Sequence, residues 1–268
     1  MSTMTGGVLG AITAAAKRSA DVRERMGGPA VHDLAAARYP RGVEFRARLQ
    51  APGVCVIAEC KRRSPSRGIL RDPYDPASIA QGYATAGAAA ISVITENTFF
   101  DGSLDHLSSV RQHVEIPVLR KDFISTPFQI LEARAAGADA ILLIVAALER
   151  ASLAALLTEA ARQGLAALVE VHSMPELEDA LAVGATLIGV NSRNLKTLDV
   201  DVRIFDQVRR EIPDGVVSVA ESGLRSADDI RRLRAAGYDA FLIGEHFMTA
   251  PDPGLALAAL VAAAEGGA

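Results

Sequence analysis

The sequence predicts an α/β fold, a (β/α)8 TIM barrel with an N-terminal helical extension, on three observations. A unit of short apolar run, polar loop and Ala/Leu/Arg-rich helical stretch recurs eight times from Val54 onward. The runs are almost continuously apolar, as strands buried on both faces must be, and eight such units close a parallel sheet into a barrel. The length of 268 residues and the 50% hydrophobic content suit the core of one such barrel.

The elements follow in order. Residues 1–53 precede the first strand; Val8 to Met26 is helical in character, and Gly28-Pro29 breaks it. This arm is expected to pack on a barrel of residues 54–268 as part of one structural domain, covering either the barrel's bottom or the edge of its mouth. The strands are Val54 to Glu59, Ala90 to Thr95, Pro117 to Lys121, Asp139 to Val145, Ala166 to Val171, Thr186 to Asn191, Val216 to Glu221 and Ala240 to Gly244. The helices are Pro76 to Ala86, Leu104 to His113, Pro127 to Ala136, Leu148 to Gln163, Pro175 to Val183, Val202 to Glu211, Ala227 to Ala236 and Gly254 to Ala264. Gly87, Gly137, Gly184 and Gly237 follow four of these helices, where a left-handed cap turns the chain into the next strand at the barrel's bottom.

Composition narrows the partner. The formal charge is −4 and Lys and Arg are spread along the chain, so there is no basic stripe for nucleic acid or a membrane surface; a small molecule is expected. Cys55 and Cys60 on one strand would stand roughly 16 Å apart, too far to bridge. No Cys-x-x-Cys or His-Glu-x-x-His spacing occurs and the five histidines are scattered, so no metal is expected. Short, interrupted apolar stretches and the lack of a leader-like N-terminus point to the cytoplasm.

Catalytic groups of such barrels come from the C-terminal ends of strands and the loops that follow. Glu59, Lys61, Lys121, Glu170 and Glu221 all lie there on odd-numbered strands, which share interior layers, so the five charges should face one another across the mouth. Charges ending apolar strands are costly unless paired or put to use, and such clusters mark functional sites. Glycine-containing turns after the seventh and eighth strands, Ser222-Gly223 and Gly244-Glu245, let backbone N–H groups approach a phosphate. The loop from Lys61 to Gly68 carries four cations and two serines and reads as a flexible lid over an anionic substrate.

These segments also resemble the indole-3-glycerol phosphate synthase family from about Val54 to Met248. The most specific pieces are Ile57-Ala58-Glu59-Cys60-Lys61-Arg62-Arg63-Ser64-Pro65-Ser66-Arg67-Gly68, Leu119-Arg120-Lys121-Asp122-Phe123, Glu170-Val171-His172, Ile188-Gly189-Val190-Asn191-Ser192-Arg193-Asn194-Leu195 and Ala220-Glu221-Ser222-Gly223. The resemblance implies a cofactor-independent, decarboxylating and dehydrating ring closure in tryptophan biosynthesis. It implies Lys121 as the general acid, Lys61 as an anion-neutralising group and second proton donor, and Glu170 as a partner in proton transfer. Glu59 and Glu221 would hold the lysines and substrate hydroxyls, with either Glu59 or Glu170 as the base in dehydration.

By the same matching Asn191 and Arg193 contact polar substrate groups and Ser64 the carboxylate. Phe100, Phe123, Leu142 and Leu195 form an aromatic slot, though each also suits an ordinary core. Ser222, Gly223, Gly244 and Glu245 hold the phosphate through backbone amides, and the Glu245 carboxylate must turn away from it or weaken binding. Cys60 sits between Glu59 and Lys61, so strand alternation turns it toward the helices. The rivals are another phosphate-binding barrel such as phosphoribosylanthranilate isomerase, which leaves Lys121 and Glu170 idle, and a non-catalytic barrel scaffold, which predicts broken catalytic positions.

Overall fold

The computed structural model describes residues 7–38, 40–194 and 197–266. Eight parallel strands form a closed barrel: β1 (Cys55–Cys60), β2 (Ala90–Ile94), β3 (Val118–Lys121), β4 (Ala140–Ile144), β5 (Ala166–Val171), β6 (Leu187–Asn191), β7 (Val217–Glu221) and β8 (Ala240–Ile243). Each pairs with the next and β8 pairs with β1, through Cys55↔Ala240 to Ala58↔Ile243. Every strand end lies within one residue of its apolar run in the sequence.

Two cores flank the sheet. One lies between strands and helices; the other fills the barrel with Ile57, Leu119, Leu142, Leu168, Leu187, Val219 and Leu242 among others. Cys60 belongs to the outer core and Cys55 to the inner, as alternation along β1 requires, and both thiols are free.

The outer helices are α3 (Pro76–Thr85), α4 (Leu104–His113), α5 (Pro127–Ala136), α6 (Arg150–Arg162), α7 (Met174–Ala182), α8 (Arg203–Arg209), α9 (Ala227–Ala235) and α11 (Pro253–Glu265), with a short α10 (Glu245–Met248) directly after β8. Side chains of Asp75, Ser103, Thr126, Ser173, Ser226 and Asp252 accept first-turn backbone N–H groups, which starts each of these helices at a defined residue. At the opposite end Gly87, Gly137, Gly184 and Gly237 take φ values of 88°, 93°, 81° and 100°, the left-handed turn expected of them.

The N-terminal arm departs from the sequence reading in one respect. Helix α1 (Val8–Ala36) does not stop at Gly28-Pro29 but runs on to Ala36, 29 residues in all and about 43 Å at 1.5 Å per residue. A proline inside a helix removes one backbone hydrogen bond, a loss that packing on both sides of it can offset. Here Leu9, Ile12, Ala15, Ala16 and Ala20 are buried before the break and Ala35 after it, and Arg23 donates to Glu132 of α5 at 2.9 Å. The arm reaches both places the sequence left open. Val8, Leu9 and Ile12 sit beside Ser64, Phe100 and Phe123 near the mouth. Helix α2 (Gly42–Leu49) sends Phe45 and Leu49, both fully buried, into the inner core, which shuts the bottom. Gly42 allows that approach, since a Cβ there would lie 2.6 Å from the Ala166 nitrogen and the Gly164 oxygen. Among the described residues no helix is long and apolar enough to cross a membrane.

Candidate active site

At the C-terminal end of the barrel a cavity of about 450 Å³ opens between the strand ends. Lys121, the last residue of β3, stands at its floor with Nζ 3.1 Å from Glu170 Oε2 of β5 and 3.5 Å from Glu221 Oε2 of β7. Lys61 just past β1 lies 2.7 Å from Glu59 Oε1. All three carboxylates are buried. The five charges predicted to converge therefore do so, as two lysine–carboxylate groups.

Even-numbered strands make room for them. A Cβ on Gly189 of β6 would lie 2.1 Å from Glu221 Oε1, and one on Gly244 after β8 would lie 2.3 Å from Glu59 Oε1. Neither glycine needs an unusual φ; the requirement is space. Gly244, expected only to expose backbone to a phosphate, thus has a second role that its carboxylate neighbour reveals.

Packing this charge out of water splits the groups' proton affinities. Burial alone would lower the Lys121 pKa, but Glu170, Glu221 and Glu59 outweigh it and hold the ammonium above its ordinary value. Burial would raise Glu170, yet Lys121 and His172 keep it well below the carboxylate range. Glu221 goes the other way, to about 8, because desolvation and the neighbouring Glu170 and Glu59 charges exceed the pull of Lys121. Neither Glu221 oxygen has an ordinary hydrogen-bond donor. The cluster therefore biases Glu221 toward the protonated form and Glu170 toward the charged one.

One wall of the cavity is apolar. Phe100 and Phe123 lie 6.1 Å apart between ring centroids, and Ile94, Leu142, Ile144 and Leu242 continue the surface. Leu142 is both core and lining: it is buried in the barrel's inner cluster and floors the pocket. Glu96 fixes the loop carrying Phe100 by accepting backbone N–H groups of Thr98, Phe99 and Phe100 at 2.9, 2.7 and 3.2 Å.

The opposite rim is cationic and rich in backbone. Ser222 and Gly223 both adopt left-handed φ, 68° and 74°, so the chain turns sharply where it lines the cavity; for a serine this is a strained conformation of the kind found at functional sites. Ser192 Oγ supports the turn by donating to the Ser222 carbonyl at 3.0 Å. Asn191 Oδ1 accepts the Arg193 backbone N–H at 2.9 Å. The Glu245 carboxylate is engaged by Arg67, Arg193 and Arg225 at 3.2, 3.7 and 4.0 Å.

Of the sequence-derived site residues, Ser64 lies beside the main cavity, in an adjoining cleft that shares Lys61, Phe100, Phe123, Arg193 and Glu245 with it. Leu195 falls outside the described residues. The loop after β1 is no shapeless lid: Arg63–Ser64 pairs antiparallel with Gly68–Ile69, because Gly68 at φ 71° allows a tight hairpin, and Ser64 Oγ accepts the Arg67 backbone N–H at 3.2 Å. Among the described residues no three His, Cys, Asp or Glu side chains form a metal-ligand group.

Three residues near the site have no role in the sequence reading. Arg225 lies at the rim. His172 touches Glu170. Arg120, fully buried, faces away from the pocket and bonds Thr95 Oγ1, the Gln129 carbonyl and Asp122 Oδ2 at 3.0, 2.6 and 2.8 Å, anchoring the strand end that carries Lys121. The signal for Arg120 was present, since a residue next to an inward lysine on a strand must point outward and a buried arginine needs partners.

Comparison with known proteins agrees with this geometry. A sequence model of the indole-3-glycerol phosphate synthase family matches residues 12–260. An indole-3-glycerol phosphate synthase of Mycobacteroides abscessus is 48% identical over 97% of this chain and 95% of its own length. One from Parafrankia sp. is 51% identical over 90% of each chain. Among solved structures, a thiamine phosphate pyrophosphorylase from Pyrococcus furiosus superposes with a TM-score of 0.61 over 83% of this chain and 98% of its own, at 18% identity, a likeness of fold alone.

Proposed function

The chain belongs to the indole-3-glycerol phosphate synthase family, and from that premise we propose how its pocket divides the work. The enzyme is a carbon–carbon lyase of tryptophan biosynthesis acting on a small phosphorylated substrate. It closes the pyrrole ring of 1-(2-carboxyphenylamino)-1-deoxy-D-ribulose 5-phosphate with loss of carbon dioxide and water.

The observation that carries the assignment is the Lys121 ammonium clasped by Glu170 and Glu221 beneath a cavity with one apolar wall and one cationic rim. The anthranilate ring lies in the slot of Phe100, Phe123 and Leu142, and its carboxylate reaches toward Lys61 and Ser64. The phosphate rests on backbone amides of Ser222, Gly223, Gly244 and Glu245, with Asn191 and Arg193 on the polar chain. The arginines that engage Glu245 turn its carboxylate from a repulsive group into a neutralised one.

Lys121 donates to the ribulose carbonyl oxygen as the carboxylate-bearing ring carbon attacks, stabilising the alkoxide in a site shielded from water. The new bond breaks aromaticity, and departure of carbon dioxide restores it. In the second stage the hydroxyl leaves as water with a proton from Lys61, while a carboxylate removes the proton from the neighbouring carbon. Glu59 stands by Lys61 and Glu170 by Lys121, so each is placed to act as that base. No step calls for a metal or an organic cofactor. We also propose a cytoplasmic location, in keeping with a biosynthetic family, and no nucleic-acid or membrane partner, in keeping with the formal charge of −4.

The test is turnover by the purified protein without metal or nucleotide, followed by indole absorbance, alongside Lys121→Ala. Indole formation that disappears in a variant with an unchanged circular-dichroism spectrum is expected. Isomerisation of phosphoribosylanthranilate with no indole formed overturns the reading.

A further inference from the structure

His172, one residue beyond β5, lies between two carboxylates, one beside each ring nitrogen. Its Nδ1 hydrogen-bonds Glu176 Oε2 in the first turn of α7 at 3.1 Å, and its buried Nε2 lies 3.3 Å from Glu170 Oε1, an ion-pair distance without hydrogen-bond geometry. The same Glu176 oxygen accepts the His172 backbone N–H at 2.8 Å. Local chemistry builds this clamp. Ser173 caps α7 and accepts the Glu176 N–H at 3.4 Å. An acidic side chain at that helix position ordinarily returns to the cap residue's own N–H. Here it reaches one residue further back and takes the imidazole as well.

A neutral imidazole has one N–H and one bare lone pair, so between two carboxylates the lone pair faces negative charge; the doubly protonated ring turns positive charge toward both. The other Glu170 oxygen is the one on Lys121. The charged groups around the ring are thus Glu176 from α7 and Glu170 from β5, with Lys121 of β3 and Glu221 of β7 beyond Glu170.

We propose that His172, kept as an imidazolium by Glu176, is a positioning residue that holds Glu170 charged and aimed at Lys121. It transfers no proton itself. The inference rests on the reading of Glu170 as a working partner of Lys121. The direction of the titration supports the geometry: burial opposes the charged ring, but Glu170 and Glu176 outweigh it and raise its pKa to about 9.

The experiment combines nitrogen NMR of the His172 ring with pH profiles of the full-length enzyme and of His172→Gln, Glu176→Gln and Glu170→Gln. The wild-type ring should be doubly protonated at neutral pH and lose its proton at lower pH in Glu176→Gln. His172→Gln should lose about tenfold in kcat, at the lower end of effects for supporting residues, with KM changed far less. Its acidic limb should rise by about one pH unit as Glu170 loses a cation. Glu176→Gln should keep the wild-type acidic limb, where the ring is still charged, and lose activity earlier on the alkaline side. A neutral wild-type ring, or a loss of kcat in His172→Gln with an unshifted profile, overturns the proposal. Full activity of Glu170→Gln would instead remove the role of Glu170, which the ring spectrum tests separately.

Discussion

The barrel interior holds two storeys only two residues apart along the same strands. In the lower one Ile57, Leu119, Leu168 and Val219 pack as ordinary core above the plug of Phe45 and Leu49. In the upper one the next inward positions are Glu59, Lys121, Glu170 and Glu221. The lower storey removes apolar surface from water; the upper one buries charge, leaves both Glu221 oxygens without an ordinary donor and needs glycine at 189 and 244 to fit. The difference teaches that rigidity is supplied beneath the chemistry, by the same strands that present it. A buried charge cluster is weak support for a fold, while a packed layer is strong support.

The sharpest way to break this comparison is to exchange losses between storeys. Lys121→Met should lower turnover about 100- to 10,000-fold, the range of a positioned acid, with a smaller fall in melting temperature than a core deletion, because the buried carboxyls left without their cation can take up protons. Leu168→Ala should do the reverse, costing about 2–5 kcal/mol of stability while kcat at room temperature is largely kept. Melting curves and initial rates on both variants decide it; two variants that each lose stability and activity together would erase the distinction.

A smaller intrusion tests the space between storeys and charges. Gly189→Ala places a methyl where Glu221 Oε1 now sits, so the carboxyl must swing away from Lys121. Turnover should fall about tenfold or more, as displacement of a group in a preorganised site does, with the melting temperature changed little. A wild-type rate would mean that Glu221 can move without consequence.

How much of this was legible in the sequence depends on whether the signal is periodic or spatial. Strand ends came out within a residue because the apolar runs are bounded by polar loops and capped helices, and the odd-strand charges followed from parity. The run of α1 through Gly28-Pro29 was not legible, because it depends on packing against α5, which no local signal encodes. Phe45 and Leu49 likewise read as ordinary helix residues until the barrel's bottom exists to be filled. His172 was in view as part of Glu170-Val171-His172, but its role needs Glu176 folded back from α7. Arg225 meets Glu245 only across two loops.

The upper storey's split titration gives a subtler test. Glu221 has a folded-state pKa raised to about 8, so between the ordinary carboxylate range and that value the folded protein holds a proton that the unfolded chain has released. The stability this supplies is complete below the unfolded pKa and declines as pH rises through about 8. Glu170, lowered, contributes with the opposite sign, losing stability only as pH falls through its own depressed pKa. Glu221→Gln should therefore flatten the decline between the carboxylate range and about pH 8 and melt several degrees above wild type at that pH and beyond. Parallel melting curves across the pH range for both proteins would refute the raised pKa.

The smallest effect is expected at the residue between two of the most sensitive. Cys60 is flanked by Glu59 and Lys61, yet it faces the helices, where its Sγ lies 3.8 Å from the Pro76 carbonyl and burial pushes the thiol's pKa well up. An inert, protonated thiol in a packed layer acts as a small apolar group. Cys60→Ala should leave kcat and KM within about twofold and cost about 1 kcal/mol of stability, the scale of a single deleted core atom. A large loss of turnover there, with the fold intact, would place Cys60 on the pocket side and reverse the inward assignment of both its neighbours, since adjacent strand residues cannot share a face.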